Sequence, residues 1–169
     1  MAQIDLHALT TWITPLVHAH PGDLPRALAE RAGCSLGKAR QWVRQLIELG
    51  WLARQGPAAR PRYTAGHLRQ VVQRYPLAGL DEDQPWARDF APCFDLPVPV
   101  RQMAQHAFTE LLNNAIAHSE GAHVTVSMRQ TAAHLQLLVS DDGRGLFDKI
   151  REGFAIEDAS RRIFGIPSL

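Results

Sequence analysis

The sequence predicts an α+β chain of two units: a small helical unit closed by a β-hairpin, then a strand-bearing unit led by one long helix. Three observations carry this. Residues 1–69 hold nine Lys/Arg against four Asp/Glu, and 70–169 hold nine against thirteen, so a +5 half precedes a −4 half. An asymmetry of that size points to two units with different partners. Apolar residues recur at helical spacing as far as Leu49, and again from Pro99 to His118. Each helical region is followed by short alternating runs bounded by turn residues.

The bulk properties set bounds. At 169 residues, 46% hydrophobic and 21% charged, the chain has the make-up of ordinary globular material. No run approaches the ~18 apolar residues of a membrane span, so no membrane partner is expected. The N-terminus, Met1-Ala-Gln-Ile-Asp5, lacks the basic and apolar regions of a secretory leader. Cys34 and Cys93 share no metal or redox spacing, which disfavours a zinc finger and a disulfide-stapled fold. The expected location is a bacterial-type cytoplasm with reduced thiols.

The first unit is read as follows. Ile4 to about Val17 carries Ile4, Leu6, Leu9, Ile13, Leu16 and Val17 near helical spacing, with Pro15 able to kink or shorten the helix. His20-Pro-Gly-Asp23 is a turn. Leu24 to Ala32 is a short helix with Pro25 in its first turn, where a missing N–H is harmless. Ser35 is the N-cap of a helix from Leu36 to Leu49, whose stripe is Leu36, Ala39, Val43, Leu46 and Ile47. Gly50 stops it. Trp51–Arg54 and Arg62–Thr64 are two short strands around a loop.

Three helices and a small hairpin over residues 1–66 resemble the winged helix-turn-helix domains of bacterial regulators. The resemblance implies duplex DNA as partner, with the third helix in a major groove. Its outward residues are Lys38, Gln41, Arg44 and Gln45, of which Lys38, Gln41 and Arg44 would read bases. Arg54, Arg60 and Arg62 on the wing would meet phosphates. A homodimer on repeated half-sites is expected. The alternative is the same fold used on a protein partner, its basic residues a solvated face.

Residues 67–98 form a connecting strap. His67 to Tyr75 reads as a connecting helix ended by Pro76, and Pro85, Pro92 and Pro97 punctuate the remainder, with Pro99 just beyond it. Trp86, Phe90 and Phe94 require a core to pack in.

From Pro99 to His118 a wide apolar face is expected from Val100, Met103, Ala104, Ala107, Phe108, Leu111, Leu112, Ala115 and Ile116. A polar row at i, i+4 spacing, His106, Glu110, Asn114 and His118, runs along one side. Two strands follow, Ala122–Arg129 and His134–Ser140, with a turn at 130–133. The second opens into Asp141-Asp-Gly143-Arg-Gly145, where glycines permit positive φ and close backbone approach. An acid at a strand end can accept hydrogen bonds from a base.

Phe108-Thr-Glu-Leu-Leu-Asn-Asn-Ala-Ile-Ala-His-Ser119 resembles the N box of the GHKL ATPases (gyrase, Hsp90, histidine kinases, MutL). Asp141-x-Gly143-x-Gly145 resembles their G1 box. A helix with E-x-x-x-N, two strands and then D-x-G-x-G is specific where either box alone would be weak. The resemblance implies a histidine-kinase-like α/β sandwich, here partial, over residues 99–169, with ATP and Mg²⁺ as cofactors. It assigns Asn114 to Mg²⁺, Glu110 to the general base of hydrolysing members, and Asp141 to the adenine amino group. Gly143 and Gly145 would let the loop approach the nucleotide, and Asn113 and His118 would neighbour the phosphates. One amide oxygen plus phosphates satisfies Mg²⁺, which keeps several waters.

There are departures. Ala117 stands where many histidine kinases carry a basic residue. No helix pair with a phosphorylatable His precedes the N box, which disfavours an autophosphorylating kinase. The Gly-rich G2 segment has no counterpart before Leu169, and Phe154, Ile156, Ile163, Phe164 and Ile166 read as core residues lacking partners. A fragment of a longer protein is therefore expected. The order of elements is similar to bacterial ATP-binding regulators that commonly continue into a STAS-like domain. The expected function is an ATP-binding, DNA-binding transcriptional regulator. One alternative is an ATP-hydrolysing enzyme or protein-serine kinase of the superfamily, and another is an interaction module with a vestigial nucleotide site.

Overall fold

The computed structural model describes residues 5–143. The expectations for Ile4, Gly145 and the apolar residues from Leu146 onward lie outside them. The chain forms α1 (Leu6–Leu9), α2 (Ile13–Ala19), α3 (Leu24–Ala32), α4 (Leu36–Glu48), β1 (Leu52–Gln55), β2 (Arg62–Ala65) and β3 (Arg69–Pro76). A short helix α5 (Asp83–Pro85) continues as a wide turn over Trp86–Phe90 and a tight one over Ala91–Cys93. Then come α6 (Val98–His118), β4 (His123–Gln130) and β5 (Leu135–Asp141).

The first helix is broken in two. Pro15 has no N–H to give the Thr11 carbonyl, and the Thr10 and Thr11 hydroxyls donate to the carbonyls of His7 (2.7 Å) and Ala8 (2.8 Å). The other helices and the hairpin expected here form within one residue of the expected bounds. Ser35 Oγ accepts from Lys38 N at 3.2 Å and caps α4. Gly33 closes α3 at φ 63°, a left-handed turn that suits glycine. The hairpin pairs Leu52 with Ala65 through Gln55 with Arg62. Leu9, Ile13, Leu24, Leu28, Leu46 and Leu52 form the first core, joined by Trp42 and Trp51. Leu36, read as a core position, is instead 38% exposed.

The connecting helix expected over 67–75 is a strand. Leu68, Val71, Val72 and Tyr75 fit i, i+3, i+4, i+7, but Val71 and Tyr75 also share one face of a strand, and over so short a run the periods are indistinguishable. Pairing decides: β3 runs antiparallel to β4, from Arg69 opposite Gln130 to Pro76 opposite His123. Pro76 is tolerated because β3 is an edge. β4 lies centrally and pairs with β5 from Val124 opposite Asp141 to Gln130 opposite Leu135.

The sheet's inner face presents Val71, Tyr75, Val124, Val126 and Met128, covered by α6 and by the aromatic residues of 86–94. The wide apolar face expected of α6 is narrower in the structure. Ala104, Phe108, Leu112 and Ala115 are buried, while Val100, Leu111 and Met103 (70%) are exposed, because the sheet accepts only one side of the helix. Among the described residues no helix is long and apolar enough to cross a membrane.

The two cores are pinned together. Gln70 N donates to the buried Thr14 Oγ1 at 3.1 Å. The Arg69 guanidinium bonds the carbonyls of Gly66 (3.0 Å), Cys93 (3.2 Å) and Ala65 (3.4 Å). Arg129 stacks 5.7 Å over the Trp51 ring. Beneath α6, Tyr75 Oη donates to Asp89 at 2.6 Å, and Arg88 bridges the same carboxylate. The Arg88 bonds hold Asp89 below the usual carboxylate range. Burial, then the Asp89 bond, pushes the Tyr75 phenol up.

Candidate functional site

The site forms where the C-terminal end of α6 meets the C-terminal end of β5. Ser119, the residue after α6, donates Oγ–H to Asp141 Oδ1 at 2.6 Å. Gly143 N donates to the same oxygen at 2.9 Å, and Gly121 N donates to Ser119 Oγ at 3.1 Å. Oδ1 is thus fixed by two donors, while Oδ2 accepts no hydrogen bond among the described residues.

Asp142 supports the loop from behind. Its Oδ1 accepts from Ala122 N and His123 N, both at 2.8 Å. Its Oδ2 faces His123 Nδ1 at 3.2 Å and Arg74 at 3.4 Å. The His123 backbone bond, foremost, holds the Asp142 carboxyl below its ordinary value. A carboxylate depressed on folding stabilises the native loop above its unfolded pKa, and that contribution is lost as pH falls through the lowered folded value.

The sequence offers Gly143 for positive φ or for close approach. The structure uses close approach: a Cβ there would lie 2.5 Å from Ser119 Oγ and 2.7 Å from Gly121 N. Gly121 is equally confined, since its added Cβ would collide with Asp142 and the Gly143 backbone. Gly121→Ala is expected to force the 119–122 and 141–143 segments apart and to destabilise the chain by about 1–3 kcal/mol, as overpacking does. Urea unfolding of parent and variant measures it, and unchanged stability would contradict the packing.

The predicted polar row on α6 lies on one exposed side. His106, Glu110, Asn113, Asn114 and His118 are all exposed, and neither Glu110 nor Asn114 has a side-chain hydrogen bond among the described residues. At about 1.5 Å per residue, Asn114 stands about 6 Å and Glu110 about 12 Å along the axis from His118, which precedes the Asp141-bonded Ser119. The structure thus brings together Asp141 and Gly143, with His118 one residue before their Ser119 partner and Asn114 and Glu110 farther along the helix. Sequence reading missed Ser119, His123, Arg74 and the second acid, Asp142. A hydroxyl immediately after the helix and an acid doublet at the strand end were the available signals.

The predicted DNA residues are distributed unevenly. Arg44 and Arg54 line a concave surface between α3, α4 and the hairpin. Lys38 places its ammonium 5.3 Å from the Trp42 ring centre, on another side of α4. Gln41, Arg60 and Arg62 are exposed and outside that concavity. Arg26 and Arg40, which sequence reading passed over, share it.

No curated protein matches the chain, and no solved structure does. Residues 100–168, the segment that carries α6, β4, β5 and the Asp141 loop, match the family model of the histidine kinase-, DNA gyrase B- and HSP90-like ATPases, which supports a nucleotide-binding site of that kind in this part of the chain.

Proposed function

We propose that the chain is an ATP-binding, DNA-binding transcriptional regulator whose nucleotide lies along α6, with adenine at Asp141 and phosphates toward Asn114 and Glu110. The observation that carries this is the Ser119–Asp141 hydrogen bond at 2.6 Å, which ties the E-x-x-x-N helix to the D-x-G loop within the family-matched segment. Oδ2 of Asp141 is an acceptor for the exocyclic amino group of adenine. Gly121 and Gly143 pack so closely that the 119–122 and 141–143 segments lie against one another beside the carboxylate. Gly145, Asn113 and His118 complete the proposed set.

The donor chemistry at Asn114 fits Mg²⁺, because a solvent-facing amide oxygen plus phosphate oxygens and waters meets its octahedral need. When bound, Mg²⁺ neutralises phosphate charge. Around it Asn114 positions the phosphate chain, and Glu110, one turn earlier, can orient a water.

The N-terminal unit is proposed as a winged helix-turn-helix on duplex DNA, with base readers Lys38, Gln41 and Arg44 on α4 and Arg54, Arg60 and Arg62 on the wing. Its support is the +5 balance of residues 1–69 and the order of three helical segments α2–α4 before a hairpin. A dimer on repeated half-sites, a downstream STAS-like domain and a cytoplasmic location belong to the same proposal.

Asp141→Asn tests the nucleotide reading. The amide keeps the loop's size but replaces an acceptor by a donor facing the adenine amino group, so ATP affinity is expected to fall by about tenfold or more, in line with loss of a charged hydrogen bond of about 1.5–3 kcal/mol. Titration calorimetry with ATP and GTP reads it. Equal affinity of the parent for the two nucleotides would overturn the adenine role.

A further inference from the structure

The concavity between α3, α4 and the hairpin has a volume of about 530 Å³. Its floor is apolar, with Leu36, Val43, Ile47 and Tyr63. Four guanidinium groups rim it: Arg26 from α3, Arg40 and Arg44 one turn apart on α4, and Arg54 from β1. None of the four forms an ion pair or side-chain hydrogen bond among the described residues. The one acid on the rim, Asp23, is held by His20 Nδ1 at 3.3 Å. Four arginines around one concavity, with no acidic partner among the described residues, favour an anion there.

We infer that this groove seats the phosphodiester backbone of a nucleic acid, with Arg26 and Arg40 as phosphate ligands beside Arg44 and Arg54. The inference rests on the reading of the N-terminal unit as a DNA binder and assigns it two new phosphate ligands. The charge does not end at the cavity. Arg54 faces Tyr63 across the hairpin and shares the cavity's side, Arg62 faces Gln55 on the opposite side, and exposed Arg60 lies in the loop between the strands. Residues 1–69, which contain the groove, sum to +5, a balance that complements a polyanion. Guanidinium forks match phosphate oxygens two at a time. Going round α4, Arg44 stands between Arg40 and Gln41. An edge of α4 that presents Gln41 to base edges therefore turns Arg40 toward a flanking strand, where phosphate bonds set register without reading sequence.

The test is fluorescence anisotropy of the full chain with a labelled duplex pool of random sequence, from about 50 to 200 mM salt. Arg26→Ala/Arg40→Ala is expected to weaken binding about tenfold or more at the low end. It should also flatten the slope of log affinity against log salt by about 2, near one for each phosphate no longer neutralised. Both side chains are exposed, so the thermal unfolding midpoint should hold, and Arg26→Lys/Arg40→Lys, which keeps the charges, should keep the slope. Lys38→Ala/Gln41→Ala separates the two ideas. If the parent does not bind duplex, both the inference and the DNA reading fail. If the parent binds and only Lys38→Ala/Gln41→Ala weakens it, the groove inference fails and the DNA reading stands. Polyglutamate displacing the duplex at equal charge concentration would identify an acidic protein as the occupant and overturn the inference.

Discussion

Phe108→Ala is expected to destabilise the chain by about 3–5 kcal/mol, the range for truncating a fully buried aromatic residue. Phe108 has no exposed surface and sits at the centre of the second core. Its ring meets Trp86 at 5.4 Å and Phe90 at 4.9 Å, tilted by 60° and 59°. Tilted aromatic pairs add about 0.5–1.5 kcal/mol each beyond area burial. Phe108 lies on the helix that carries Glu110 and Asn114, so its loss should also loosen the proposed nucleotide site. Met103→Ala, on the exposed side of α6, is the matched control and should change stability by less than about 0.5 kcal/mol. Urea unfolding of both variants decides which side of α6 faces the core. Equal destabilisation would contradict the packing described.

Glu110→Ala is expected to leave ATP affinity within about twofold while lowering phosphate release by about 10²–10⁴, the usual contribution of a positioned general base. The side chain is exposed and has no hydrogen bond among the described residues, so its removal disturbs no structural bond there. It lies one turn before Asn114, close enough to address a water near the terminal phosphate if adenine sits at Asp141. A coupled-enzyme phosphate assay on parent and variant reads the effect. Should the parent release no phosphate above a blank, the hydrolytic role of Glu110 fails and nucleotide binding as a switch stands.

Local rules carried the sequence reading far. Ser35 as N-cap, Gly50 after α4, the short hairpin and the two strands around 130–133 are decided by neighbours in sequence, and the structure has each of them. The strand β3 was out of reach, because Val71 and Tyr75 satisfy a helical and a strand spacing alike, and only the β4 partner about fifty residues away decides between them. The same holds for α6. Its composition is apolar nearly all round, and nothing local says that Phe108 enters the core while Met103 does not.

At the candidate site, Asp141 and Asn114 could be proposed from sequence because their spacing within each motif is local. Ser119, Gly121 and Asp142 were not, because their role is to bond one motif to the other across the end of the sheet. The arginine groove was hidden for a related reason. Arg26, Arg40 and Arg54 come from three elements, and Lys38 and Gln41, equally polar in sequence, lie outside it.

Hydrogen exchange read by mass spectrometry, on the full chain with and without ATP and Mg²⁺, tests the nucleotide site most directly. Protection is expected to rise together in residues 110–121 and 141–143, with residues 36–48 unchanged as the internal reference. Unchanged exchange in both segments at saturating ATP would contradict a nucleotide site between the end of α6 and the Asp141 loop.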